Sequence, residues 1–284
     1  MKLLFNIALI LLGLTSFDVG RPNSGDKEYK GIYVDNLQQI VGNNQLENDF
    51  LHWAKEHGFN ALTLYNMKAV LGDPALRKAL PKFILKARAQ GISEVTAVVS
   101  NGTTAVGLVD SYNHSQRDHH SAFDNINLEL EWWNRASSFD QYKAYLESIR
   151  SWGQQQRPAI LNEEYIGWFK NPTGEDSLMA AALVEKSDRI LVHDYQQNLT
   201  FSYLQPRLDW IGRAAGAQGK VMPVIIIFNA KTEFMGGYFA QHPFSDAFQT
   251  FMDEFKQAQF PGKGNLRIIG YQIYNQSAAR LCKP

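Results

Sequence analysis

The feature that most constrains this chain is a regular alternation of short apolar runs with longer amphipathic stretches. The apolar runs are rich in Ile, Val, Leu and Tyr, which favours strands, and the stretches between them carry helical periodicity. Repeated strand–helix units build a parallel sheet, because each helix returns the chain to the edge where the next strand begins. Eight such units predict a single (β/α)8 barrel of the TIM type, for which 284 residues is an ordinary length.

The predicted strands cover residues 30–35, 61–65, 95–100, 127–133, 159–162, 189–193, 221–228 and 267–274. Predicted helices cover 45–57, 73–91 with a possible break at Pro81, 139–155, 176–186, 204–215 and 245–257. The polar segment 111–120 is expected to form a loop over the mouth of the barrel. An open, doubly wound sheet is the alternative, but such folds usually carry a Gly-rich phosphate loop after the first strand, and this sequence has none there.

The N-terminus has the pattern of an export signal. Met1-Lys2 precedes an apolar run from Leu3 to Leu14, and the small residues Thr15-Ser16 follow it. A positive start, a short apolar segment and a small-residue exit are typical of a secretory signal peptide, and the run is short for a membrane span. We therefore expect residues 1–20 to be a signal peptide and linker and 28–284 to form the barrel. The mature protein is expected to be secreted or periplasmic, without stable membrane insertion.

Composition narrows the range of partners. The 28 Lys and Arg residues balance the 28 Asp and Glu residues, so no broad positive field attracts nucleic acid. The only cysteine is Cys282, which excludes an intrachain disulfide and a cysteine-based metal site. No cofactor is expected, and a neutral partner such as a carbohydrate fits this balance best.

Histidines cluster in the polar segment before the fourth strand. His114, Asp118, His119 and His120 could be metal ligands together with His193-Asp194 on the sixth strand, since imidazole and carboxylate are ordinary ligands. Their spacing matches no metal signature, so we expect no metal site.

The fourth strand carries the most informative pattern. Alternate residues of a barrel strand face the interior, and polar inward residues near its carboxyl end lie where barrel active sites form. This alternation turns Asn127, Glu129 and Glu131 inward, and it turns Ile126, Leu128 and Leu130 toward the helices. Two neighbouring buried carboxylates push their pKa values apart, so that one can act as a proton donor.

This strand resembles that of glycoside hydrolase family 18, the chitinase and endo-N-acetylglucosaminidase family. The family signature is Asp-Gly-x-Asp-x-Asp-x-Glu, and residues 124–131 read Asp-Asn-Ile-Asn-Leu-Glu-Leu-Glu with the same spacing. Glu131 matches the general acid of the family. Asn125, Asn127 and Glu129 stand where the family has Gly, Asp and Asp.

Three further segments resemble the family at the expected places. Ser100-Asn101-Gly102-Thr103 is similar to Ser-x-Gly-Gly after strand three. His193-Asp194-Tyr195-Gln196 is similar to Met-x-Tyr-Asp on strand six, and Gly270-Tyr271-Gln272-Ile273-Tyr274 is similar to Gly-x-Met-x-Trp on strand eight.

The resemblance implies a substrate-assisted, retaining glycosidase acting on N-acetylglucosamine-containing glycans. Glu131 would be the general acid/base, Glu129 would polarise the 2-acetamido group, Tyr195 would hydrogen-bond it, and Tyr274 would stack on the sugar. Further expected substrate contacts are Asn127, Tyr33, Tyr65, Ser100, Trp132, His193 and Gln272. Aromatic residues near strand ends, including Trp168, also suit a carbohydrate cleft.

Two alternatives remain open. Asn127 cannot share a proton as an acid can, and Glu129 is one methylene longer than Asp, so the barrel could bind glycans without cleaving them. A different retaining glycosidase could instead use Glu163, in the sequence Asn162-Glu163-Glu164, with Glu233 as nucleophile. Solvated loop charges at Glu163 and Glu164 are the simpler interpretation of that segment.

Overall fold

The computed structural model of the protein describes residues 27–100, 102–134, 137–156, 158–169 and 175–282. Eight parallel strands close into a barrel in the order in which they follow along the chain, which confirms the predicted (β/α)8 fold. The strands are β1 (Tyr29–Val34), β2 (Ala61–Leu64), β3 (Glu94–Val99), β4 (Asn125–Leu128), β5 (Leu161–Ile166), β6 (Arg189–Asp194), β7 (Met222–Asn229) and β8 (Leu266–Tyr274). The predicted signal segment, residues 1–20, lies outside the described residues.

Helices surround the barrel. They are α1 (Leu37–Ile40), α2 (Asn44–Glu56), α3 (Met67–Gly72), α4 (Pro74–Ala89), α5 (Gly102–Ser115), α6 (Phe139–Gln155), α7 (Glu175–Lys186), α8 (Phe201–Ala217), α9 (Gly236–Phe239), α10 (Phe244–Gln257) and α11 (Gln276–Ala279). Helix α4 continues through Pro81 without a break. Within the described ranges, no helix is long and apolar enough to cross a membrane.

Helix starts are encoded locally. The Asn43 side chain accepts a hydrogen bond from the amide of Leu46 at the start of α2. Asp73 does the same for the amides of Ala75 and Leu76 at the start of α4, and Pro74 occupies the first helical position. These caps satisfy amides that have no partner inside the helix, so α2 and α4 each begin at a defined residue.

A layer of paired polar side chains, which we call the polar floor, crosses the barrel interior. The Arg189 guanidinium donates to Glu94 over 2.6 Å and forms a short ion pair with Glu163. The Tyr29 hydroxyl donates over 2.9 Å to the side-chain carbonyl of Gln272. Arg189 also lies over the Tyr29 ring, 4.9 Å from its centroid. Because buried charges are tolerated only when they are paired, these five residues fix each other.

Two strands, β4 and β5, depart most from their predicted bounds. Strand β4 ends at Leu128, before Glu129. Strand β5 runs to Ile166 instead of Asn162 and so includes Glu163 and Glu164. The carboxylates of Glu163 and Glu164 have buried partners elsewhere in the fold, and this pairing allows acidic residues inside a strand.

The prediction that residues 111–120 form a loop over the barrel mouth is wrong. The first half of that segment, residues 111–115, belongs to α5, whose buried side chains Val106, Val109 and Tyr112 recur every three residues and face the barrel. The helix carries the chain from the carboxyl end of β3 back to the amino end of β4. The turn with His119 and His120 therefore lies at the opposite end of the barrel from the mouth.

Candidate active site

Five tyrosines surround one carboxyl group at the mouth of the barrel. They are Tyr33 on β1, Tyr65 after β2, Tyr165 on β5, Tyr195 after β6 and Tyr274 at the end of β8, and the carboxyl group belongs to Glu129. The charge of Glu129 raises the pKa of each of these tyrosines. All five therefore lie close to it, and we call this group the tyrosine pocket.

The rings of the tyrosine pocket also contact one another. The Tyr33 and Tyr274 ring centroids are 5.4 Å apart in an edge-to-face arrangement, and those of Tyr195 and Tyr274 are 5.8 Å apart. Burial is the main cause of the raised pKa of the Tyr33 and Tyr195 hydroxyls. For Tyr65, which is 40% exposed, the charge of Glu129 is the main cause, and its pKa rises to about 12. The pocket is thus a set of neutral phenols around an acid.

Glu129 follows β4 directly, and its backbone amide donates a 2.8 Å hydrogen bond to the carbonyl of Val99 on β3. Burial raises the pKa of its carboxyl group from 4.5 to about 7, and the charge of Glu131 adds to the rise. The Tyr33 hydroxyl acts in the opposite direction because it favours the charged form. Near neutral pH, both the protonated and the ionised form of Glu129 are therefore accessible.

Glu131 lies two residues further along the chain and closer to solvent. The Asn134 side chain donates a hydrogen bond of 2.5 Å to its carboxylate from the short 3-10 turn Trp132–Asn134. Its charge raises the pKa values of Tyr65, Tyr165 and Tyr274, although it is a minor cause for each. Glu129 and Glu131 therefore both lie at the mouth, although β4 ends before them.

His193 forms one wall beside the pocket. Burial, with a smaller contribution from the positive charge of Arg207, lowers its pKa to about 3. Its Nδ1 shares a 3.0 Å hydrogen bond with the Tyr165 hydroxyl, and its ring stacks on Tyr195 with the centroids 4.4 Å apart. A neutral imidazole can orient polar groups of a ligand without adding charge.

The structure separates the predicted site residues into two groups. Those at the mouth are Glu129, Glu131, Tyr33, Tyr65, Tyr195, His193 and Tyr274, while Ser100 is exposed at the end of β3. The others lie away from the mouth. Asn127 is fully buried beside Glu163 in the β4–β5 register, Gln272 belongs to the polar floor, and Trp132 packs on Tyr142 of α6 with ring centroids 4.3 Å apart.

Tyr165 is a pocket residue that the sequence prediction missed. Its strand was predicted to end at Asn162, before Tyr165. The alternation of Glu163, Tyr165 and Gly167 on one face would have identified it if the strand had been extended through the apolar Ile166.

The alternative pair Glu163 and Glu233 is not supported by the structure. Glu163 lies in the polar floor, paired with Arg189, while Glu233 is exposed after β7. Nor are Glu163 and Glu164 solvated loop charges. Glu164 is buried on the outer side of the barrel, where the Tyr142 hydroxyl donates to it over 2.7 Å, and burial raises its pKa well above the ordinary value.

The histidine-rich turn brings three possible metal ligands, two imidazoles and one carboxylate, together away from the pocket. Ligand atoms of Asp118, His119 and His120 all lie within 4.8 Å of one another on the surface. Because this turn precedes β4, it does not join His193 and Asp194 in one site. The expectation that the protein has no metal site stays a prediction.

No family model matches the sequence, and a search of curated proteins finds no match. Solved structures do resemble the barrel. A chitinase from Bacteroides thetaiotaomicron has a TM-score of 0.53 at 9% identity, covering 88% of this chain and 90% of that chain. A GH5_18 protein from Streptomyces cattleya, in complex with Manb1-4GlcNAc, has a TM-score of 0.54 at 9% identity, covering 88% and 71%.

An alpha-L-arabinofuranosidase from Thermotoga maritima has a TM-score of 0.53 at 11% identity over 88% of this chain. The present chain spans 64% of the length of that protein. At such identities the likeness shows a shared barrel fold, and function has to be argued from the site.

Proposed function

We propose that this barrel is a glycoside hydrolase that acts on N-acetylglucosamine-containing glycans. The observation that carries the proposal is the placement of Glu129 and Glu131 together at the carboxyl end of β4, with the Glu129 carboxyl enclosed by the tyrosine pocket and its pKa raised to about 7. Two carboxyl groups at one site are the usual chemical requirement of glycoside cleavage. The fold that the chain shares with a chitinase and with a protein bound to Manb1-4GlcNAc supports the same class.

In the proposed reaction, Glu131 gives its proton to the glycosidic oxygen as the bond from that oxygen to the anomeric carbon breaks. The 2-acetamido oxygen of the substrate attacks the anomeric carbon from the other face, so the enzyme needs no nucleophile of its own. Glu129, as a carboxylate, accepts a hydrogen bond from the acetamido N–H and stabilises the developing positive charge. Water then opens the cyclic intermediate, and Glu131 takes up the proton of that water.

The tyrosine pocket supports this scheme. Tyr195 and Tyr274 lie beside Glu129, where one hydroxyl can hydrogen-bond the acetamido group and one ring can stack on the apolar face of the sugar. The pocket contains phenols and lies beside the neutral imidazole of His193, so it presents hydrogen-bonding groups to a ligand. Such a lining suits an uncharged sugar.

A glycan-binding protein without hydrolytic activity is the second candidate. Asn127, inward-facing and fully buried one step below Glu129, favours it because an amide cannot share a proton with the neighbouring carboxyl group. The tyrosine pocket would serve binding equally well. The two candidates differ only in whether the glycosidic bond is cleaved.

Hydrolysis of aryl chitobiosides and of a high-mannose glycoprotein tests the proposal. We expect Glu131→Gln to reduce kcat/KM by about 10² to 10⁴ on the glycoprotein. The loss should be smaller on a nitrophenyl chitobioside, whose leaving group needs little protonation. The exposed Glu233→Gln variant is the matched control and should keep full activity.

Turnover that survives Glu131→Gln on both substrates would remove Glu131 from the acid role. If the wild type cleaves neither substrate but binds the glycan in calorimetry, the binding protein is the correct assignment. We also propose that the protein is exported, on the basis of the signal-like segment 1–20. Mass spectrometry of the N-terminus of the mature protein tests this.

A further inference from the structure

An exposed tryptophan stands at the mouth outside the tyrosine pocket. Trp168 follows β5 and Gly167, and its side chain is 41% exposed. A Cβ atom at position 167 would lie 2.7 Å from the indole of Trp133, so only glycine lets the chain pass this close to that ring. The backbone before Trp168 is therefore held against the barrel.

A buried arginine supports one face of the Trp168 ring. The guanidinium of Arg207, on α8, lies 4.5 Å from the centroid of that ring, although Arg207 itself is only 2% exposed. It donates to the carbonyl oxygens of Gly167 over 2.6 Å, of His193 over 2.8 Å and of Tyr203 over 2.9 Å. Because these bonds fix the guanidinium, the indole rests on a rigid charged plane.

Neighbouring rings set the tilt of the indole. Tyr203 and His193 both meet Trp168 edge-on, with centroid distances of 5.0 and 6.0 Å and interplanar angles of 86° and 85°. These contacts, together with Arg207, cover part of the ring and hold its orientation. Its exposed surface therefore belongs to a ring whose orientation is already fixed, and binding on it costs little side-chain entropy.

A continuous series of ring contacts connects Trp168 to the pocket. His193, which meets the Trp168 ring, stacks on Tyr195, and Tyr195 contacts Tyr274 with centroids 5.8 Å apart. A glycan with one sugar in the tyrosine pocket can follow this series toward Trp168. An exposed, rigidly held aromatic face at that end is suited to the apolar face of a pyranose ring.

We propose that Trp168 is a stacking subsite for a second sugar of the glycan whose other residue occupies the tyrosine pocket. The substrate class is accordingly an oligosaccharide that extends across the β5–β6 side of the mouth. The identity of this occupant rests on the proposed function. Stacking on Trp168 itself does not require that the bond is cleaved.

Binding measurements on a non-hydrolysing background test the subsite. In Glu131→Gln, the affinities of N,N′-diacetylchitobiose and of a chitin pentasaccharide are measured by calorimetry, with and without Trp168→Ala. We expect Trp168→Ala to weaken binding of the pentasaccharide roughly tenfold and of the disaccharide much less. Trp168→Phe should restore part of the loss, and Trp210→Ala, on α8, is the matched control and should change neither affinity.

Tryptophan fluorescence gives a second readout. Binding of the pentasaccharide should shift the emission of the parent protein, and this shift should disappear in Trp168→Ala. Equal pentasaccharide affinity with and without Trp168, or no glycan binding at all, would overturn the subsite. If the wild type cleaves no glycan but pentasaccharide binding still depends on Trp168, then the proposed hydrolysis fails and the subsite stands.

Discussion

The raised pKa of Glu129 should leave a measurable signature in the stability of the protein. Its carboxyl group ionises near pH 7 in the folded state, against 4.5 for the ordinary value. As pH rises through this window, the unfolded chain releases its proton first and the folded chain retains it. The free energy of unfolding therefore falls with rising pH, and the contribution of Glu129 is lost completely above pH 7.

The size of the effect follows from the same two values. A change from 4.5 to about 7 corresponds to about 3 kcal/mol between the two ends of the window, at about 1.4 kcal/mol for each tenfold change in proton affinity. Glu129→Gln cannot ionise, so its stability lacks this contribution. The difference in unfolding free energy between Glu129→Gln and wild type should therefore increase by about 3 kcal/mol in favour of the variant from about pH 4.5 to about pH 8.

Urea unfolding followed by circular dichroism at a series of pH values measures this difference. Other groups with raised pKa values, such as Glu164 and Asp194, titrate in both proteins and largely cancel in the comparison. The exposed Glu233→Gln variant controls for the substitution itself. A difference between Glu129→Gln and wild type that stays constant over the whole range would refute the assignment of a raised pKa to Glu129.

Two further predictions concern the barrel itself. Arg189→Met leaves the buried Glu163 without its cation and should lower the unfolding free energy by about 3–5 kcal/mol; a loss below about 1 kcal/mol in urea unfolding would contradict the pairing. Gly212→Ala places a Cβ atom against the carbonyl oxygen of Gly262, whereas Gly264→Ala meets nothing within 4 Å. The first should cost about 1–3 kcal/mol in thermal denaturation, the second much less, and equal melting temperatures would be inconsistent with this close approach.

The fold, and the side of the site that follows the fourth strand, could be predicted from local patterns. Apolar runs separated by helical stretches determine the barrel. Period-two alternation on the fourth strand predicts Ile126 and Leu128 in the apolar layer and Glu129 on the inner side; the first two are fully buried, and Glu129 lies beside Tyr33 although β4 ends at Leu128. Such patterns repeat within a few residues along the chain. They are visible in the sequence because strand and helix geometry impose them.

Features that depend on partners distant in the chain could not be predicted this way. Glu163 and Glu164 have the composition of a polar loop, and only Arg189 and Tyr142, on other elements, make them residues of a buried strand. Tyr165 was missed for the same reason, because its strand was predicted to end at Asn162. Helix α5 is a different case, because its apolar spacing at Val106, Val109 and Tyr112 was present in the sequence but was obscured by the polar residues between them.

The polar floor determines from which side a molecule can enter the barrel. Arg189, Glu163, Tyr29 and Gln272 are buried and bonded across the interior below the tyrosine pocket. The polar floor therefore closes the barrel interior on the side away from the mouth. If the proposed hydrolysis occurs, substrate and product would both use the mouth, so a product that stays bound would compete directly with the next substrate molecule, and we expect product inhibition.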